Sequence, residues 1–126
     1  MEKGEIFILN SQFRDIYPEK CYNHPFIFWE DEAADFRGIM LTTSPDYCNI
    51  PLKPSHFEEG FRIGFGKSYE YPISYIAPLY LLKDIIYEHL EFAGELSTEG
   101  KNFIESIIRK LKYTDWIKYT TGMKSS

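Results

Sequence analysis

Apolar residues along most of the chain fall into short blocks, each cut off by glycine, proline or a cluster of charges. Glu5-Ile6-Phe7-Ile8-Leu9 follows Gly4 and is apolar on both faces, which predicts a first strand. From Asn10 to Asn23 the pattern dissolves into a polar, turn-prone stretch containing Pro18. Loops of that length in a compact domain tend to carry function. His24-Pro25 closes the loop, and Phe26-Ile27-Phe28-Trp29 predicts a second strand. Glu30-Asp31-Glu32 with Ala33-Ala34-Asp35 reads as a solvated turn, leading to a third strand over Arg37–Thr43 that Ser44-Pro45-Asp46 stops.

Shorter extended pieces are expected near Asn49–Leu52 and Phe61–Phe65, with Pro51 and the glycines marking edges or bulges. Tyr71–Leu82 is extended again, and Pro72 and Pro78 make it an edge strand or two pieces. Lys83–Phe92 reads as a short helix or a turn-rich connector, because Leu82, Ile85, Ile86 and Leu90 approximate helical spacing. One segment departs clearly from the strand pattern. Phe103, Ile104, Ile107, Ile108 and Leu111 form a single helical stripe, and Ser97 or Thr98 is placed to cap its start. The elements together predict a mainly β fold with α. The expected form is a small barrel or strongly bent sheet of about five to seven strands, closed by a C-terminal amphipathic helix. One domain is expected over residues 1–126, with a loosely ordered tail over 114–126.

Charge sharpens this picture. The formal net charge is −5, which disfavours a binder held to nucleic acid by net charge alone. The balance is uneven: residues 1–100 carry 8 Lys/Arg against 17 Asp/Glu, and residues 101–126 carry 6 against 2. A locally basic face is therefore compatible with an acidic protein, although the C-terminal Lys/Arg group reads first as a solvated helix face. Cys21 and Cys48 fit neither a metal spacing nor a disulfide framework and suit a reducing compartment. Met1-Glu2-Lys3-Gly4-Glu5 runs straight into a strand without a leader pattern, and no run is long enough to span a bilayer. A soluble, cytoplasmic protein with no membrane partner is expected.

Few chemical signatures are present. Gly60, Gly64 and Gly66 lack the Lys-Ser/Thr of a phosphate loop, and the histidines and cysteines show no zinc spacing. No metal and no cofactor is expected. Pro54-Ser55-His56-Phe57 reads as a turn or short helical segment with His56 exposed, and His89 reads as a partly buried, hydrogen-bonded residue. The group that stands out is Glu19, His24, Thr42, Thr43 and Ser44. If the second and third strands are neighbours, their ends bring an imidazole and several hydroxyls toward one pocket. Imidazole moves protons near neutral pH and hydroxyls bond phosphate oxygens. RNA supplies its own nucleophile in the 2′-hydroxyl, so its cleavage needs no metal. The same residues also fit an ordinary strand end and turn.

Order and spacing carry a resemblance over nearly the whole chain. Gly4-Glu5-Ile6, a long loop, His24-Pro25-Phe26-Ile27, Met40-Leu41-Thr42-Thr43-Ser44, and Gly94-Glu95-Leu96-Ser97 before the helix together resemble the MazF/PemK-type toxins. The resemblance implies an SH3-like barrel acting as a homodimer. It implies a sequence-selective, metal-independent endoribonuclease restrained by a small antitoxin protein. By position, the family's catalytic arginine falls on His24 and its threonine on Thr42 or Thr43. Glu19 stands where some members carry an acidic residue, and Ser44 and Pro25 fall in the substrate-binding steps. Histidine in place of arginine departs from the pattern, since arginine offers a permanent charge and a fork of donors. Either His24 takes over proton transfer, or the chain keeps the barrel as a non-catalytic binding module for a protein or nucleic-acid partner.

Overall fold

The computed structural model describes residues 2–16, 25–33, 35–42, 48–58, 74–83 and 87–115. Within them lie eight strands: β1 (Glu5–Leu9), β2 (Phe26–Glu32), β3 (Asp35–Thr42), β4 (Ile50–Leu52), β5 (Ser74–Ile76), β6 (Leu79–Lys83), β7 (Leu90–Glu95) and β8 (Lys112–Asp115). One α-helix, α1 (Thr98–Ile107), joins β7 to β8 through a single 3-10 turn. The fold is thus mainly antiparallel β with one C-terminal helix.

The strands run in the order β4-β5-β3-β2-β1-β7. β3 pairs with β6 through Phe36–Gly38 and with β5 through Leu41–Thr42. One strand thus serves two parts of the sheet. The break between β5 and β6 falls at Ala77-Pro78, where proline cannot donate to a ladder. Pro51 lies exposed in β4 at the end of the strand order, the position its missing N–H suits. The two ends of that order are then tied together. Phe57 bridges Leu96, the Glu58 N–H donates to the Glu95 carbonyl (3.1 Å), and the Ser97 N–H donates to the His56 carbonyl (2.9 Å).

Strand alternation sorts the apolar blocks onto two faces. Ile6, Ile27, Trp29, Ile39 and Leu41 point into the main core with Leu52, Ile76, Tyr80, Leu96, Ile104 and Leu111. Phe7, Phe26, Phe28 and Phe36 form a buried aromatic cluster, and Leu9, Met40, Ala77 and Leu81 form another apolar one. β1 and the first part of β2 are buried on both faces for this reason. Gly4 has φ +93°, a conformation costly for any residue with a Cβ. Its N–H donates to the Phe28 carbonyl (2.9 Å), and its carbonyl accepts from the Leu96 N–H (2.8 Å), so it links β2 to the end of β7.

α1 begins as its sequence predicts. The Ser97 hydroxyl accepts from the Gly100 N–H (3.1 Å), and Glu99 sits in the first turn. Ile104 and Leu111 are buried, while Phe103, Ile107 and Ile108 pack against the main core. The sheet nonetheless holds more strands than the block pattern suggests. The acidic run is not a turn: β2 continues through Glu32 and β3 starts at Asp35, with the reversal at Ala33 (φ 55°). Backbone pairing accounts for this, since carboxylates that face water leave the ladder Asp31–Phe36 and Glu32–Asp35 intact. Arg37 then neutralises Glu32 at 2.8 Å.

The segment expected as helix or connector contains a 3-10 turn over Tyr87–His89, followed by strand β7 paired to β1. β8 reaches Asp115, two residues into the expected tail, and pairs parallel to β6. The expected strand over Phe61–Phe65 and the tail beyond Asp115 lie outside the described residues.

Candidate functional site

The β2–β3 hairpin brings together the strand ends that the sequence singles out. Phe26 pairs with Met40, and the Leu41 N–H donates to the Pro25 carbonyl (2.8 Å). Pro25 is buried there. On the other side of β3, Thr42 pairs with Tyr75, and the Ala77 N–H donates to the Met40 carbonyl (3.1 Å). Ile39 and Leu41 point into the main core. Thr42 therefore belongs to the opposite face of β3, the face of Met40, and it is half-buried. Of the expected site residues, Pro25 and Thr42 are described. Glu19, His24, Thr43 and Ser44 lie outside the described residues, as does Cys21. Cys48 is free and exposed.

His56 differs from its expectation. It ends the predicted short turn, a 3-10 turn over Pro54–His56, yet it is only 5% exposed. Its ring stacks on Phe103 (4.8 Å between centroids, 15° between planes). Nδ1 accepts from the Lys53 N–H (2.9 Å), which leaves the proton of the neutral ring on Nε2, 3.8 Å from Glu99. Burial lowers its pKa below 6.5; Glu99 opposes that shift and Lys53 reinforces it. The Ser55 hydroxyl donates to Glu99 (2.8 Å), and the Ser97 hydroxyl donates to the Ser55 carbonyl (2.6 Å). With its Nδ1 lone pair engaged, His56 is a brace for the helix start and is poorly placed as a general base. Sequence reasoning misses it because His56 and Glu99 meet only through the tertiary fold. His89 is half-buried and stacks on Phe13 at 3.9 Å, in keeping with a packed residue.

A second polar cluster lies along β6. Arg37, largely buried, extends between the rings of Tyr80 (5.5 Å) and Tyr113 (4.6 Å) and donates to the Tyr80 carbonyl. The Tyr80 hydroxyl donates to Glu30. Burial pushes the Tyr80 hydroxyl far above its usual range, and the Glu30 contact pushes it further. It remains a protonated donor and performs no acid–base chemistry. These contacts fasten β8 to the sheet.

Among the described residues no group of three His, Cys, Asp or Glu side chains is arranged to hold a metal ion. No described helix is long and apolar enough to cross a membrane. Comparison with family models, curated proteins and solved structures returns no match for this chain.

Proposed function

We propose that the chain is a metal-independent, sequence-selective endoribonuclease of the MazF/PemK-like kind. In this reading it is an SH3-like barrel that acts as a cytoplasmic homodimer and is restrained by a small antitoxin protein. The observation that carries the reading is the hydrogen bond from the Leu41 N–H to the Pro25 carbonyl. Pro25 and Thr42 end two paired strands, and their covalent neighbours in the sequence are His24 and Thr43.

The chemistry asks little more of the protein. A base takes the proton of the RNA 2′-hydroxyl as its oxygen bonds to phosphorus. The bond from phosphorus to the 5′-oxygen breaks, an acid protonates that oxygen, and a 2′,3′-cyclic phosphate remains. His24 is assigned the proton transfer, with Glu19 assisting. Thr42 or Thr43, with Ser44, donates to the non-bridging oxygens, where charge grows in the transition state.

Purified protein is expected to cut a long mixed-sequence RNA into discrete fragments in EDTA. His24→Ala is expected to slow that cleavage by roughly a hundredfold or more, the usual share of general acid–base catalysis. Intact RNA at high protein concentration overturns the enzymatic reading. It favours a binding module, for which the exposed carboxylates Glu30, Asp31 and Glu32 offer a surface.

A further inference from the structure

The hydrogen bonds that join Pro25 to Leu41 continue sideways across the sheet. Met40 accepts from Ala77, and the Pro78 carbonyl accepts from the Lys112 N–H (3.1 Å). Lys112 opens β8 opposite Leu79, whereas Asp115 lies opposite Leu82. The register of β6 on β3, Phe36 with Lys83 and Gly38 with Leu81, puts Leu79 toward Met40 and Leu82 toward the β2–β3 hairpin. Lys112 thus stands at the same end of the sheet as Pro25 and Thr42. It is two strands from β3, a lateral distance of about 10 Å at ordinary strand spacing.

Arg109 and Lys110 occupy the 3-10 turn just before it. All three cations are exposed, and none forms an ion pair with a described residue. One exposed carboxylate, Glu105, lies on α1 a turn before Arg109, and the others lie away from the three cations. Glu30, Asp31 and Glu32 lie at the opposite end of β2, where it meets the hairpin turn. Glu88 and Glu91 lie on the β1–β7 side, with β1 and β2 between them and β3. Three exposed cations against the one exposed carboxylate Glu105 leave the β8 flank net basic, whereas Glu88 and Glu91 make the β7 flank acidic.

We propose that Arg109, Lys110 and Lys112 form a track for the phosphate backbone of single-stranded RNA, leading from the Pro25–Thr42 strand ends across β6 to β8. The proposal rests on the reading that RNA is taken at that end. A polyanion crossing it is drawn toward β8 and repelled from β7, which fixes the direction in which the strand lies. An overall negative charge does not oppose this, because screening confines the interaction of exposed charges to within about 8 Å at physiological salt.

The test is binding of a short, fluorescent 2′-O-methyl RNA, which lacks the free hydroxyl needed for cleavage, measured across a salt series. For single strands the slope of log affinity against log salt is roughly 0.7 per phosphate contact. The triple variant Arg109→Gln, Lys110→Gln, Lys112→Gln is expected to bind more weakly at low salt, with a slope shallower by about 2. Lys3→Gln with Lys53→Gln, two exposed lysines elsewhere, is expected to leave the slope unchanged. An unchanged slope in the triple variant, an equal loss in the control, or no binding by wild type overturns the track. Cleavage of ordinary RNA by the same proteins separates the two claims. If wild type binds with the steeper slope but never cleaves, the track stands and the nuclease reading falls. If the triple variant cleaves dilute RNA as fast as wild type, the track falls and the nuclease reading stands.

Discussion

His56 illustrates how a residue's environment decides its chemistry. A buried imidazole that accepts a backbone N–H at Nδ1 loses that bond when it is protonated, and burial penalises the charge as well. Its pKa in the fold is lower than in the unfolded chain, so between the two values the unfolded chain binds more protons. The stabilisation is fully present above pH 6.5 and is lost as pH falls through the folded value. Thermal unfolding followed from pH 8 downward is expected to show the midpoint fall below pH 6.5, and His56→Gln is expected to flatten that part of the curve. Glu99 and Lys53 face the ring with opposing effects, so Glu99→Gln should make the fall deeper and carry it to lower pH by removing the partner that favours the charged form. None of this is legible in Pro54-Ser55-His56-Phe57, which reads correctly as a turn but carries no sign of the Phe103 ring or the Lys53 amide. Arg37 is similar: the sequence places it in a strand, while its two tyrosine neighbours come from β6 and β8.

At the scale of elements, α1 shows which local signals survive folding and which are overruled. Its apolar stripe and serine cap are readable because both depend on neighbours within one or two turns. Gly100 runs against propensity, since alanine in a helix interior is favoured by about 1 kcal/mol. The reason is contact: a Cβ at Gly100 would lie 2.1 Å from the His56 carbonyl oxygen, so the helix start rests directly on the preceding turn's backbone. Overpacking of this kind costs about 1–3 kcal/mol. Gly100→Ala is therefore expected to destabilise the protein in urea despite its better propensity. Ser97→Ala should cost about 1 kcal/mol through the lost cap.

β7 and β8 are the elements the sequence conceals. The spacing of Leu82, Ile85, Ile86 and Leu90 suggests a helix or connector up to Phe92, whereas Leu90–Glu95 is a strand because β1 offers it a ladder from far along the chain. Lys112–Asp115 is short and largely polar, and its partner is a parallel strand reached across α1. By contrast β1, β2, β3 and the edge role of Pro51 follow from residues adjacent to them. The pairing of β2 with β3, on which the candidate site depends, is legible for the same reason: it is a local hairpin.

On the scale of the whole molecule, the two ends of the strand order meet, among the described residues, at a short seam. Among the described residues one bridge, Phe57 with Leu96, and two backbone bonds beside it join the β4 end to the β7 end, and His56 lies within that seam. Native-state hydrogen exchange is expected to show the Glu58 and Ser97 amides opening well below the free energy of global unfolding, with protection falling further as His56 protonates. The amides of Ile27, Ile39 and Leu41 should exchange only with global unfolding. Equal protection at both places would show that the seam is as strong as the ladders. The pairing of β1 with β7 also dictates an order of events during synthesis. Glu5 finds Glu95 only after the intervening residues have emerged from the ribosome, whereas β2 and β3 meet as soon as their hairpin is made. The nascent chain must therefore hold a first strand that is apolar on both faces with one side unpaired until late, and chaperones that mask such edges gain their longest opportunity here.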